Sequence, residues 1–79
     1  MNDAELLSLI KTGLNEVDPG REAEFDKVTM ETNMDDLGMD SVSLMELVGY
    51  IEQHVGKTFP DDRLGNLVTF RDLASLVSS

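Results

Sequence analysis

The chain has 79 residues, 41% of them hydrophobic, and carries 16 acidic against 6 basic side chains for a formal charge of −10. That length gives one small domain, residues 1–79, with one modest core, and the apolar content is too high for a wholly disordered chain. The charge argues against nucleic acid, which needs clustered Lys and Arg, and against anionic membrane surfaces; it suits a partner with a basic patch.

The absence of cysteine excludes a disulfide framework and a thiolate zinc site. The N-terminus lacks a basic start followed by an apolar run, so no signal peptide is read. The apolar runs are a few residues long, far short of a membrane span. The expectation is a soluble, cytoplasmic monomer. Met1 and the compact length favour a free-standing chain.

Residues 3 to 17 read as a first helix. Leu6, Leu9, Ile10, Leu14 and Val17 recur at helical spacing, and Asn2 or Asp3 can cap the start. Gly13 weakens this helix by roughly 1 kcal/mol against Ala. Asp18-Pro19-Gly20 stops it. Residues 18 to 40 show no sustained period. Phe25, Val28, Met30, Met34 and Leu37 are scattered among charges and are expected to pin a long loop onto the helices. A loop of this length is uncommon in a compact domain and is often functional.

Residues 41 to 55 form the clearest helix. Leu44, Leu47, Val48, Ile51 and Val55 make one narrow apolar stripe, read as core. Val42, Glu46, Gly49 and Gln53 point the opposite way, with Met45 on the flank. Gly38 permits a tight approach turn. Asp40 is a good N-cap, and Ser41 then sits at the helix start with its hydroxyl outward. A helix N-terminus favours a negative group, so an exposed serine there suits a phosphate ester. Most serines at such positions serve only the local capping network.

Gly56 is a helix stop. Phe59-Pro60-Asp61-Asp62 opens a segment whose Leu64 and Leu67 can make a short helix. Thr69-Phe70-Arg71-Asp72 resembles a capping box, followed by an apolar face of Phe70, Leu73, Leu76 and Val77. No stretch alternates with period two over strand length. The fold class is therefore all-α: a small four-helix bundle, three main helices plus one short helix, with a long loop between helices 1 and 2.

Several chemistries fail on spacing. His54 lies thirteen residues after Ser41 on one helix, roughly 20 Å along the axis, beyond the reach of a nucleophile and base pair. With Gly38 at position six, a calcium loop needs ligands at Asn33, Asp35, Leu37 and Leu44, of which two are leucines, and the closing Glu is absent. Weak divalent binding by clustered carboxylates stays open, but no dedicated metal site is read. Met30, Met34, Met39 and Met45 are adaptable packing or the lining of an apolar pocket. No phosphate cradle and no acid and base couple occur, so no enzyme is read.

Asp36-Leu37-Gly38-Met39-Asp40-Ser41-Val42, then Met45-Glu46-Leu47, Ile51-Glu52, Phe59-Pro60-Asp61-Asp62 and Thr69-Phe70-Arg71-Asp72-Leu73 together strongly resemble an acyl carrier protein. The resemblance runs from Val28 to Val77. It implies a four-helix carrier without catalysis of its own. Ser41 matches the serine that receives 4′-phosphopantetheine from coenzyme A through a magnesium-dependent transferase, with Asp40 beside it. The arm's thiol would carry acyl groups as thioesters, bringing sulfur to a cysteine-free chain. Asp36, Val42, Met45, Glu46 and Gly49 match the face that docks ketosynthase, acyltransferase and other enzymes with basic patches.

Within that family the segment Val28 to Gly38 and Leu44-Met45-Glu46 look most like discrete carriers of dissociated polyketide synthases, although Met39 and Val42 stand where that group usually has Tyr and Leu. The helix after Ser41 carries only Glu46 and Glu52, and Gly49 replaces a larger apolar residue common in fatty-acid carriers. Peptidyl carriers typically have a second glycine at the place of Met39. Two readings from other classes remain beside the carrier: an unmodified acidic helical adaptor binding a basic partner through residues 40 to 53, and a divalent-cation sensor.

Overall fold

Local capping starts the three longer helices of the structure, a computed structural model that describes residues 2–59 and 65–78. The helices are α1 (Asp3–Val17), the single-turn α2 (Glu22–Phe25), α3 (Ser41–Val55) and α4 (Phe70–Ser78), with one 3-10 turn at Met34–Leu37. Asn2 Oδ1 accepts from the Glu5 N–H at 2.8 Å and starts α1. Asp40 Oδ1 does the same for Ser43 N–H at 2.8 Å and starts α3. At α4 the capping box is reciprocal: Asp72 Oδ2 accepts from Thr69 N–H at 3.1 Å, and Thr69 Oγ1 accepts from Asp72 N–H at 3.4 Å. α3 ends at Gly56 in the left-handed region, φ 70°, where its N–H reaches Glu52 O. The helix boundaries expected at 3–17 and 41–55 are those observed.

The connection over residues 18–40 is more ordered than its sequence suggests, because it contains α2 and the 3-10 turn. Four-residue helices are too short to print a 3.6-residue period, and neither would nucleate alone. Tertiary burial holds them. Phe25, Val28, Met30 and Met34 are all buried, while Leu37 and Met39 are half-buried against the core. The residues expected to pin the loop therefore do so. An isolated antiparallel bridge joins Asn33 to Thr69, and among the described residues no strand forms. The short helix expected after Phe59 falls largely on residues 60–64, outside the described residues; Phe59 itself is buried and Leu67 half-buried.

Leu6, Ile10 and Leu14 of α1 share one core with Leu47, Val48 and Ile51 of α3 and Phe70 and Leu73 of α4. Each such buried side chain contributes about 1.5–3 kcal/mol in water-removal terms. Two members of the expected α3 stripe are not fully in this core: Leu44 and Val55, at its two ends, are half-buried. The stripe runs past both edges of the α1 contact.

Gly13 is more than a helix weakener. A Cβ there would stand 2.8 Å from Leu47 Cδ1 and 2.8 Å from Tyr50 Cδ1. The bare backbone lets α1 and α3 approach closely. Gly49 is the opposite case, with nothing within 4 Å of a Cβ. Urea unfolding should therefore separate the two positions. Gly13→Leu should lose about 1–3 kcal/mol through overpacking, whereas Gly49→Ala should gain about 0.5–1 kcal/mol from helix propensity. Equal effects at the two glycines would contradict the close helix contact.

Candidate functional site

The site is built by a turn, a cap and a cleft. The 3-10 turn starts where Asn33 Oδ1 accepts from Asp35 N–H at 2.9 Å. It ends at Gly38, whose φ of 68° is a left-handed conformation that a residue with a Cβ resists, and whose N–H returns to Asp35 O at 3.0 Å. Met39 is half-buried and holds the chain down. Asp40 then caps α3, and Ser41 is the first residue of the helix and exposed. The serine is thus held at a fixed helix end with its side chain toward solvent.

Asp40 is not merely placed by sequence. The Ser43 backbone N–H, with the Ser43 side chain, holds its carboxyl below the ordinary carboxylate value, against an opposing desolvation. Asp72 is lowered in the same way, chiefly by Thr69 N–H and then by Val68 N–H.

Beside Ser41 lies an open cleft of about 610 Å³ lined by Asp35, Ser41, Leu44, Met45, Gly65, Leu67 and Val68. This explains why Leu44 is only half-buried: it forms the apolar wall under the serine. Of the four methionines, Met45 alone lines the cleft, whereas Met30 and Met34 are core. The large exposed apolar side chains among the described residues are Val42 at 67%, Met45 at 50% and Val68 at 50%. Two of the three line the cleft, and Val42 directly follows the serine.

The expected docking residues fall as follows. Val42, Met45 and Glu46 are exposed on α3, Gly49 leaves open space on the same helix, and Asp36 is exposed on the 3-10 turn. His54 is exposed with its Nδ1 at 2.9 Å from Tyr50 O and its ring 4.2 Å from that of Tyr50, outside the site. Among the described residues no group of three or more His, Asp or Glu is arranged to hold a metal ion.

Sequence reasoning missed the far wall of the cleft and one cation. Gly65, Leu67 and Val68 reach the serine only through the fold, so no spacing rule reveals them. Arg21 stands among acidic residues with no local pattern to mark it. Its Nη2 donates to Leu37 O at 2.6 Å, its Nη1 to Asp18 Oδ2 at 3.0 Å and its Nε to Glu24 Oε2 at 2.7 Å.

An exposed hydroxyl on the first turn of a fifteen-residue helix, with a partly apolar cleft opening beside it, suits a phosphate ester there. Comparison with known proteins identifies the family. The family model described as the phosphopantetheine attachment site matches residues 6–77. The chain is similar to an acyl carrier protein of Lactobacillus acidophilus, 31% identical over all of this chain and 96% of that one. It is similar to an acyl carrier protein of Treponema denticola, 36% identical over 73% of this chain and 76% of that one. An anthracycline acyl carrier protein, DauA of a Streptomyces species, is 35% identical over 84% of this chain and 74% of its own. No solved structure matches the chain significantly.

The lowered Asp40 carboxyl fixes the sign of an acid response. Its capping contribution is complete above the ordinary carboxylate pKa and is lost as pH falls through the lowered one. The melting-temperature gap between wild type and Asp40→Asn should thus be widest near neutral pH and close below about pH 4. A gap that stays constant down to about pH 2 would contradict a charged cap.

Proposed function

The chain belongs to the phosphopantetheine-bearing acyl carrier proteins, and on that footing we propose that Ser41 is its attachment residue, the start of α3 its docking face and polyketide assembly its pathway. As a member of that family it is a carrier of acyl intermediates and not a catalyst. When bound, 4′-phosphopantetheine supplies a thiol that holds acyl groups as thioesters.

The observation that carries the assignment to Ser41 is its place: exposed, first in α3, beside Asp40 and at the mouth of the cleft. Its hydroxyl oxygen is the atom to be esterified. The cap keeps the first turn of α3 formed while that oxygen stays accessible. The helix N-terminus offsets part of the repulsion between a phosphodiester and Asp35, Asp36 and Asp40. Leu44, Met45, Leu67 and Val68 offer an apolar wall to an arm or its cargo.

The docking face is Asp36, Val42, Met45, Glu46 and Gly49. It combines exposed apolar surface with negative charge and no bulky side chain at Gly49, which suits partners that present basic residues around an apolar contact. The partners proposed are a phosphopantetheinyl transferase acting with magnesium, and ketosynthase and acyltransferase enzymes. Polyketide assembly is favoured because the relatives include carriers named for anthracycline and for the actinorhodin polyketide synthase, the latter from Streptomyces coelicolor and 35% identical over 62% of this chain. A cytoplasmic setting accords with these partners; among the described residues no helix is long and apolar enough to cross a membrane.

Intact mass after incubation with coenzyme A, magnesium and a broad-specificity transferase tests the site. Wild type should gain one phosphopantetheine, and Ser41→Ala should gain none while keeping its helical circular dichroism. A modified Ser41→Ala, or one that loses its helices, would refute the assignment. For the docking face, Glu46→Lys should lower kcat/KM for transfer by about three- to tenfold at low salt, with the loss shrinking at high salt. A rate that Glu46→Lys leaves unchanged at every ionic strength would remove Glu46 from the interface.

A further inference from the structure

We infer that Arg21 is a positioning residue for Ser41, setting the turn that presents the serine to a modifying enzyme; the inference rests on the reading of Ser41 as the attachment residue. Arg21 lies before α2, twenty residues from Ser41 in sequence, and its side chain is 28% exposed. Its donors reach three different segments, with Nη2 shared between the Leu37 carbonyl and Glu24 Oε2, each at 2.6 Å. Nη1 reaches Asp18, the residue that ends α1; Nε reaches Glu24 in α2; Nη2 donates to the Leu37 carbonyl at 2.6 Å. The guanidinium also lies over the Phe25 ring, 5.1 Å from its centroid, and Phe25 is fully buried in the core. The cation is therefore fixed from the α1–α2 side by charge, hydrogen bonds and a cation–π contact.

What it holds is the weak point of the approach to the site. Leu37 is the last residue of the 3-10 turn, and its carbonyl is among those a helix end leaves without an internal partner. The next residue is Gly38, left-handed at φ 68° and with nothing within 4 Å of a Cβ position, so packing does not restrain it. Only Met39 and Asp40 separate it from Ser41. Pinning the Leu37 carbonyl to the core fixes the peptide that enters Gly38, and with it the direction in which Asp40 and Ser41 leave. A lysine cannot reproduce this, because one ammonium lacks the planar fork that serves three acceptors at once.

Charge alone predicts the opposite result, which makes the idea testable. Arg21→Ala takes the formal charge from −10 to −11, which by attraction should favour a basic transferase and lower KM. Loss of the clamp should raise it. Arg71→Ala is the matched control. It makes the same charge change and frees two carboxylates, Asp3 and Glu31. Its contact with Asp3 is at the far end of α1 from Asp18, about 22 Å along the helix axis.

The experiment measures KM for the unmodified chain, and kcat, in transfer from coenzyme A with magnesium by a phosphopantetheinyl transferase. Amide exchange at Gly38, whose N–H bonds Asp35 O, is followed in the same samples. Arg21→Ala should raise KM about tenfold, the effect of losing one charge-assisted hydrogen bond, with kcat within about twofold. Gly38 exchange should quicken. Arg21→Lys should fall between, and serves in place of Arg21→Ala if that variant does not fold. Arg71→Ala should leave KM at or below wild type. A wild type that takes up phosphopantetheine, with Arg21→Ala and Arg71→Ala sharing one KM, would overturn the clamp alone. A wild type that takes up none would overturn the reading of Ser41, and the inference with it.

Discussion

Backbone polar groups must find partners, and in this molecule two unsatisfied segments satisfy each other. The long connection after α1, with only single-turn helices, satisfies part of its backbone internally and leaves the Met30 and Thr32 carbonyls and the Met34 N–H to bond elsewhere. The first turn of α4 has N–H groups with no partner inside the helix. Phe70 N–H donates to Thr32 O at 3.3 Å, Arg71 N–H to Met30 O at 2.7 Å, and Met34 N–H to Val68 O at 2.8 Å. The rest depends on this exchange. It lays residues 30–34 along 68–71, buries Met30 and Met34, and ties Val68 to the chain leading into the 3-10 turn. Leu67 and Val68 thereby form the wall of the cleft that faces Leu44 and Met45.

The charge distribution has the same logic. Arg21 pairs with Asp18 and Glu24, and Arg71 with Asp3 and Glu31. Lys11 Nζ donates to Asp26 O at 3.0 Å and Lys57 Nζ to Val77 O at 2.7 Å. Exposed ion pairs of this kind stabilise little. Their effect is on the field. Among the described residues Lys11 lies in α1, Arg21 before α2, Lys57 after α3 and Arg71 in α4, while Asp35, Asp36, Asp40 and Glu46 lie on the 3-10 turn and the start of α3. Such a pattern concentrates negative potential at one end of one helix.

The site joins a rigid support to an open surface. α3 is anchored by Leu47, Val48 and Ile51 against α1, made possible by the bare backbone of Gly13. Its N-terminal end, beyond that contact, presents Ser41, Val42 and Met45 outward. Ser41 is therefore reachable from solvent without disturbing the core.

The sequence by itself determined whatever depends on neighbours a few residues apart. Asn2, Asp40 and the Thr69–Asp72 pair state their caps, Gly38 and Gly56 their turns, and the stripes of α1 and α3 their faces, because capping and helical periodicity are local physics. The exposed serine and its acidic, apolar surroundings follow from the same rules, and the motif around Ser41 adds the family. Tertiary structure decided the rest. α2 and the 3-10 turn exist because Phe25 and Met34 are buried, not because four residues favour helix. Leu44 left the core because the segment at Leu67 and Val68 opened a cleft beside it. Gly13 became a contact instead of a defect once Tyr50 and Leu47 lay across it. Arg21 meets the Leu37 carbonyl only because folding brings the two together. Each of these couples residues distant in sequence, and no local pattern encodes which distant partner the chain will bring.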